Sequence, residues 1–340
     1  MGNLFVDRIA GSLVGAAYGD ALGAPTENRT REQIFDKWGY VDRFYDAPMD
    51  VYARGNKAGQ ITDDFSMAYV AIQEILKAGG VVNQKVAENA LIKWSENERF
   101  FDQFVGPTSR KFINRLKGMK VEESAFEPCN DNLRASNGGA MKIGSVACLG
   151  KGDMEKTLAL TKVICFPTHG NRISMSGAYA VAAAVCGALN GKDLFGILDD
   201  AMYGAVEGEK VGATGNTVAG PSFPKRLRVA IEIGMNANSL SEAMDKLREL
   251  FDCSGMAADS VPVAFGLMVA AKGQVLDAVA AAANIGNDTD TIATMIGAIL
   301  GAMHGIQVFP EEIVRTIDEA NDYHLQELAE VMADTNITIE

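Results

Sequence analysis

Two short clusters of acidic and hydroxyl residues are the parts of this sequence best suited to chemistry. One is the run Thr62, Asp63 and Asp64, and the other, far along the chain, contains Asp288 and Asp290–Thr291. Each stands directly ahead of an apolar segment with helical spacing, so each is predicted to begin a helix, with Thr62 as an N-cap. The field of the helix amino end is expected to keep such carboxylates ionised. A capped helix explains either cluster alone, but not the recurrence of the pattern.

If the two clusters meet in the fold, four carboxylates come together with no lysine or arginine beside them in the sequence. Two like charges 4 Å apart cost about 4 kcal/mol at an effective dielectric constant near 20, so protons or cations must compensate for them. Oxygen ligands without His or Cys favour Mg²⁺, Mn²⁺ or Ca²⁺, and two divalent ions would balance four carboxylates. A pair of ions about 4 Å apart can orient a diol and activate water, so the residues predict a hydrolase, whether of phosphoesters, amides or glycosides.

The first helical segment has a regular glycine spacing. Glycine recurs every four residues from Gly11 to Gly23, which places these residues on one face of a helix where another backbone can pack. Packing against a neighbouring helix is therefore the expected role of the glycines. Asp20 within this segment and Glu27 just after it are not explained by packing.

The remaining sequence predicts an all-α protein. Apolar residues follow helical spacing in most segments, for example Phe65–Ala78, Asn83–Ser95 and Leu240–Phe251, whereas strand-like alternation and a dinucleotide-binding fingerprint are missing. No repeat or low-complexity linker divides the chain, so one domain over residues 1–340 is expected. The Gly-, Thr- and Asn-rich stretch Lys210–Pro224 predicts a long surface loop that could cover a site.

Composition excludes several classes of function. The net charge is −13 and no cluster of Lys and Arg is present, which disfavours nucleic-acid binding. The apolar stretches Ala178–Leu189 and Ala293–Met303 are about half the ~20 residues that span a bilayer, so they are expected to be core helices and no membrane is expected. Five cysteines without CxxC spacing argue against disulfides and favour the cytoplasm. They are Cys129, Cys148, Cys165, Cys186 and Cys253.

Five landmarks in a fixed order resemble the ADP-ribosylglycohydrolase family, which includes dinitrogenase reductase-activating glycohydrolase and the ADP-ribosylarginine hydrolases. They are GSLVGAAYGDALGAPTE at 11–27, TDD at 62–64, SNGGAM at 136–141, Thr168–His169 and GNDTDTIATMIGAILGA at 286–302. The resemblance implies a compact orthogonal multi-helix bundle with two Mg²⁺ or Mn²⁺ ions in a central cleft. It also implies cleavage of the glycosidic bond at the anomeric carbon of ADP-ribose, in an ADP-ribosylated protein or a small conjugate.

The resemblance also assigns roles to individual positions. The metal ligands correspond to Thr62, Asp63, Asp64, Asp288, Asp290 and Thr291. The substrate loop corresponds to Ser136, Asn137, Gly138 and Met141, and His169 corresponds to a residue beside the ribose, although a lone histidine is more often a capping or core residue. Glu27 corresponds to a glutamate that faces the metals. The transition state would resemble an oxocarbenium ion, and the candidates for proton transfer are Glu27, Asp63 and Asp290.

The sequence departs from the family pattern near the site. Family members commonly read TDDT and NGAAMR, where this chain has Phe65, Gly139 and Lys142. These changes suggest that the adenosine half of ADP-ribose is bound differently or is absent from the substrate. An N-glycosidase for nucleosides or other small ribosides is therefore an alternative, and a non-catalytic ADP-ribose-binding protein is a third. The sequence does not indicate the oligomeric state.

Overall fold

The computed structural model describes residues 2–121 and 135–340, so Cys129 lies outside the described residues. Within these ranges the chain is all-α, which confirms the predicted fold class: seventeen helices accompany two strands of two residues each. The helices are α1 (Gly2–Gly23), α2 (Arg31–Trp38), α3 (Asp63–Lys77), α4 (Gln84–Trp94), α5 (Glu98–Gln103), α6 (Pro107–Leu116), α7 (Gly138–Val146), α8 (Met154–His169), α9 (Arg172–Leu189), α10 (Leu194–Gly212), α11 (Phe223–Asn236), α12 (Leu240–Leu250), α13 (Ala257–Ala270), α14 (Val275–Ile285), α15 (Thr289–His304), α16 (Glu311–Asn321) and α17 (Leu325–Asp334). Short 3₁₀ turns follow α7 and α15 at Ala147–Gly150 and Ile306–Val308.

The two ends of the chain are held to the same body. Strands β1 (Val81–Val82) and β2 (Thr338–Ile339) pair in parallel, which attaches the C-terminal segment beside α3 and α4. The main hydrophobic cluster extends from Ile9 in α1 to Ile337 just before β2. Burial of this apolar surface is the main stabilising contribution to the fold.

Helices α1 and α15 pack with their backbones in direct contact, as the glycine spacing predicts. A Cβ atom on Gly15 would lie 2.1 Å from the carbonyl oxygen of Gly297, and one on Gly297 would lie 1.9 Å from that of Gly15. Gly11 meets Gly301 and Gly19 meets Ala293 in the same way, so the helices run antiparallel. The carboxyl end of α1 therefore lies against the amino end of α15. This close packing is called the glycine seam below.

We expect Gly15→Ala to lower the free energy of unfolding by about 3 kcal/mol or more, because backbone atoms of α15 occupy the space that the new methyl group needs. Gly139→Ala is the matched control, since a Cβ there would have ordinary contacts of 3.6 Å with Ala178, Cys165 and His169. The control is expected to be neutral or stabilising by about 0.5 kcal/mol. Urea unfolding followed by helical circular dichroism measures both, and equal losses would contradict the role of the seam.

Helix α9 and the predicted loop Lys210–Pro224 can each be compared with the prediction from the sequence. Helix α9 is long and apolar enough to match a bilayer span, but 94% of that window is buried inside the protein, as in a core helix. The predicted loop Lys210–Pro224 is shorter than expected, because α10 continues to Gly212 and α11 begins at Phe223. Its middle is attached to the turn between α8 and α9, where the Asn216 amide donates to the Gly170 carbonyl at 2.7 Å.

Candidate metal centre and substrate cleft

Asp20 holds the start of α3 against α1. Its carboxylate accepts hydrogen bonds from the Thr62 amide (2.9 Å), the Thr62 hydroxyl (2.8 Å) and the Phe65 amide (2.9 Å). The Thr62 hydroxyl in turn accepts from the Asp64 amide, which confirms Thr62 as the N-cap. These bonds supply acceptors for donors that the first helical turn cannot satisfy itself. The first acidic cluster is thereby fixed at the carboxyl end of α1.

The second cluster reaches the same place through the start of α15. The Thr291 hydroxyl lies 2.9 Å from Asp64 Oδ1 and 3.0 Å from Asp288 Oδ1, so it bridges the two clusters. Behind it, the Thr289 hydroxyl donates to the Gly23 carbonyl at 2.9 Å. The two clusters therefore meet in space, which is the arrangement that the charge argument requires.

The carboxylates form two overlapping groups in which three oxygen atoms lie within 4.8 Å of one another. Asp290 belongs to both groups. Its partners are Asp20 and Asp64 in one group, and Glu27 and Asp288 in the other. Two adjacent sets of carboxylate oxygens sharing one residue suit a pair of Mg²⁺ or Mn²⁺ ions. Asp63 belongs to neither group among the described residues, although it lines the same cleft.

Burial and mutual repulsion raise the pKa values throughout this centre. Burial raises the pKa of Asp20 and of Asp288 to about 6, despite hydrogen bonds that favour their charged forms. Burial and then the charge of Asp20 raise the pKa of Asp63 to about 8. The pKa values of the remaining three carboxylates, Glu27, Asp64 and Asp290, lie well above the ordinary range, again from burial first and neighbouring charges second.

These shifts contradict the expectation that the helix field keeps the acids of the first cluster ionised. A helix end stabilises a charge by about 1 kcal/mol, which is less than the cost of burying several carboxylates together. Without a compensating cation, the centre would hold protons at neutral pH. The donor set, the burial and the excess of negative charge all fit divalent cations.

All of these carboxylates except Asp20 line one wall of a cleft of about 450 Å³, a volume typical of small-molecule sites. All the predicted catalytic and substrate residues line it, together with every predicted metal ligand except Thr62, whose hydroxyl is directed to Asp20. No lysine or arginine lines the cleft among the described residues. The lining residues not predicted from sequence are Tyr52, Gln103, Phe104, Val105, Gly106, Pro107, Thr108, Ser109, Ser254, Gly255 and Met256.

Asn137 links the substrate loop to the metal centre. Its side-chain amide donates to Asp288 Oδ2 at 2.5 Å and to the Ser260 hydroxyl at 2.8 Å, and its backbone amide donates to the Gly255 carbonyl. The family resemblance assigns this position to the substrate loop. The structure also places its side-chain amide against a carboxylate of the centre. Asn137 therefore orients Asp288.

His169 is buried at the end of α8 and hydrogen-bonded through both ring nitrogens. Nδ1 lies 2.7 Å from the Thr168 hydroxyl, and Nε2 lies 3.1 Å from the Ser136 hydroxyl at the cleft. Burial, followed by the positive charge of Lys142, holds the pKa of His169 well below its ordinary value. The imidazole is therefore neutral at pH 7, and the cleft has no cationic side chain here.

Phe65, Gly139 and Lys142, three of the departures from the common family pattern, lie outside the cleft. Phe65 is buried beside the stacked rings of Tyr69 and Tyr323, with centroid distances of 6.3 and 6.1 Å. The Cα of Gly139 faces side chains of α8 and α9, and Lys142 extends to the Thr168 hydroxyl. None of the three side chains lines the cleft, which weakens the argument for the alternative of a smaller riboside substrate.

Comparison with known proteins identifies relatives over nearly the full length. The ADP-ribosylglycohydrolase family model matches residues 1–338. YegU of Escherichia coli (strain K12), itself uncharacterised, is 28% identical over 332 residues, covering 96% of each chain. An ADP-ribosylarginine hydrolase, Tri1 of Pseudomonas putida (strain GB-1), is 26% identical and covers 97% of this chain and 78% of its own.

A human protein and a solved structure are also similar to this chain over most of its length. The ADP-ribosylhydrolase ARH3 of Homo sapiens is 26% identical, with 90% of this chain and 88% of that protein covered. A solved structure described as an ADP-ribosylglycohydrolase-related protein complex superposes with a TM-score of 0.70 at 20% identity, covering 98% of this chain and all of the other. At that identity the structural likeness supports the fold alone.

Proposed function

Because the chain belongs to the ADP-ribosylglycohydrolase family, we propose that it is a divalent-metal-dependent hydrolase that releases ADP-ribose from an ADP-ribosylated protein or a small conjugate. The observation that carries the proposal is the pair of three-carboxylate groups sharing Asp290, of which every member except the fully buried Asp20 lines the cleft. Relatives named for hydrolysis of ADP-ribosylarginine and for ADP-ribosyl hydrolysis support the substrate class. Four buried free cysteines are consistent with a reducing compartment such as the cytoplasm.

Two Mg²⁺ or Mn²⁺ ions fit the centre, and when bound they would neutralise the carboxylates and orient vicinal hydroxyls of a ribose. The chain's own residues supply the framework for this. Thr291 and Asn137 fix the rotamers of Asp64 and Asp288 by hydrogen bonds. Glu27 closes one group from the loop after α1.

Among the three candidates for proton transfer, we favour Asp63 as the general base. Asp290 belongs to both three-carboxylate groups and Glu27 to one, so their oxygens are needed to hold cations. Asp63 belongs to neither and still lines the cleft. A carboxylate near the reacting carbon can accept the proton of an attacking water as positive charge develops on the sugar.

We expect Asp63→Asn to lower kcat by about 10²-fold while the protein still binds two metal ions per chain, because general-base catalysis typically contributes that much. Single-turnover kinetics and metal analysis of the same preparation measure the two properties separately. If metal is lost together with activity, Asp63 is a ligand and another group accepts the proton.

Substrate preference tests the function itself. The metal-loaded protein is incubated with ADP-ribose linked to a guanidinium nitrogen, ADP-ribose linked to a hydroxyl oxygen, and simple nucleosides, each with and without a chelator. We expect free ADP-ribose from at least one conjugate, and only with the metal present. Release of ribose from nucleosides alone would support the riboside N-glycosidase, and ADP-ribose binding without turnover would support a non-catalytic binder.

A further inference from the structure

Four polar side chains form a hydrogen-bonded series that begins in the core and ends at the cleft. The buried Lys142 ammonium lies 3.4 Å from the Thr168 hydroxyl, which lies 2.7 Å from Nδ1 of His169. Nε2 of His169 lies 3.1 Å from the Ser136 hydroxyl. Only Ser136 and His169 reach the cleft, whereas Lys142 and Thr168 lie behind them. Lys142 thus influences the cleft without touching its contents.

The chemistry of Lys142 gives this series a direction, meaning that it determines which group donates and which accepts in each hydrogen bond. Burial lowers the pKa of Lys142, but as an ammonium group it only donates hydrogen bonds, and the oxygen of Thr168 then accepts from it. The hydroxyl hydrogen of Thr168 is then available to Nδ1 of His169, at 2.7 Å, in preference to the Cys165 carbonyl at 3.4 Å. A neutral imidazole that accepts at Nδ1 carries its hydrogen on Nε2 and donates it to the Ser136 oxygen. The hydroxyl hydrogen of Ser136 is consequently left to point into the cleft.

We infer that Lys142 is a positioning residue that sets the direction of this series, so that Ser136 donates a hydrogen bond to an acceptor oxygen of the bound ADP-ribosyl group. The inference rests on the proposed function for the identity of the ligand, but the direction of the series belongs to the free protein. Gly138 permits the arrangement, because a Cβ at that position would lie 2.8 Å from Nε2 of His169 and displace the ring.

The tautomer of His169 tests the direction without any substrate. The chain has three histidines, so ¹⁵N-histidine labelling gives three resolvable ring systems. We expect His169 to be neutral at pH 7 with the hydrogen on Nε2. In Lys142→Met, Thr168 is free to accept from Nδ1–H and donate to the Cys165 carbonyl, so the Nδ1–H tautomer should appear. His324 serves as an internal reference, and Lys162→Met, on the exposed side of α8, is the control variant.

Affinity for ADP-ribose tests the consequence at the cleft. We expect Lys142→Met and Ser136→Ala each to weaken ADP-ribose binding about tenfold, which corresponds to the loss of one hydrogen bond, and to raise KM while kcat stays within about twofold. The double variant should bind no more weakly than Ser136→Ala, because both changes remove the same hydrogen bond. Lys142→Arg, which keeps donor hydrogens, should restore most of the affinity.

Several results would overturn the inference. They are an Nδ1–H tautomer in the unmodified protein, an unchanged tautomer in a folded Lys142→Met variant, and additive losses in the double variant. Failure of ADP-ribose to bind the unmodified protein, with the tautomers as expected, would instead contradict the proposed substrate and support the direction of the series. The helical circular dichroism of each variant shows whether it is folded.

Discussion

Replacing Asp290 with asparagine is expected to lower the rate of ADP-ribose release by about 10³-fold and to remove at least one metal ion per chain. Asp290 is shared by both three-carboxylate groups, so a single substitution weakens both cation positions at once. Removing one partner from a buried charge assembly costs about 3–5 kcal/mol, which converts to a factor of this order. Metal analysis by mass spectrometry and initial-rate assays at saturating Mn²⁺ measure the two effects.

The control for this substitution is Asp102→Asn. Asp102 is close in sequence to the cleft-lining residues Gln103–Ser109, but it is exposed and does not line the cleft. We expect Asp102→Asn to keep full activity and metal content. If Asp290→Asn retained both properties as well, the assignment of the metal centre would be wrong.

The second large effect concerns the protein without metal, whose stability is expected to fall as pH rises. The folded chain holds protons on carboxylates whose pKa values are raised, whereas the unfolded chain releases them near pH 4, so the folded state binds more protons in between. The stabilisation from these protons is complete below pH 4 and is lost as pH rises towards 8, the pKa of Asp63. In chelator, Tm is expected to drop on the order of 5 °C from pH 5.5 to 8.5.

Adding Mg²⁺ or Mn²⁺ should remove most of this dependence, because cations replace the protons and stabilise the folded state by binding it alone. Metal-free Asp290→Asn should lose less stability over the same range, since it carries one carboxylate fewer. Differential scanning calorimetry at several pH values, with and without metal, measures each case. Equal Tm values at both pH values in chelator would show that the carboxylates do not repel one another.

The sequence predicts much of the centre because its ligands stand beside helix starts. Thr62 and Asp288 precede apolar helical segments, and the predicted cap at Thr62 is present. The recurring acidic pattern and the cost of unpaired charge predict a cation site if the two clusters meet, and the structure shows that they do. Helix bounds agree within about two residues for the three segments named from periodicity, since local spacing and caps determine them.

Other parts of the site depend on contacts that no local pattern reveals. The sequence alone does not assign Asp20 as a ligand, although a lone carboxylate on the packed face of an apolar helix must find buried partners or a cation. The cleft wall from Gln103 to Ser109 and the loop Ser254–Met256 approach from elements remote in the chain. The sequence predicts that Lys142 lies near the site, because sequence position alone does not show that its side chain extends into the core.

The glycine seam also fixes the moment at which the centre can form during synthesis. Helix α1, which carries Asp20, is synthesised well before its partner α15, which starts at Thr289. Until α15 has been synthesised, α1 lacks the backbone that it packs against in the glycine seam. Asp20 and Asp64 then lack Asp290, the third carboxylate of their group. A nascent chain that lacks α15 therefore lacks the carboxylate that both candidate cation groups share, and the centre assembles only after α15 has been synthesised.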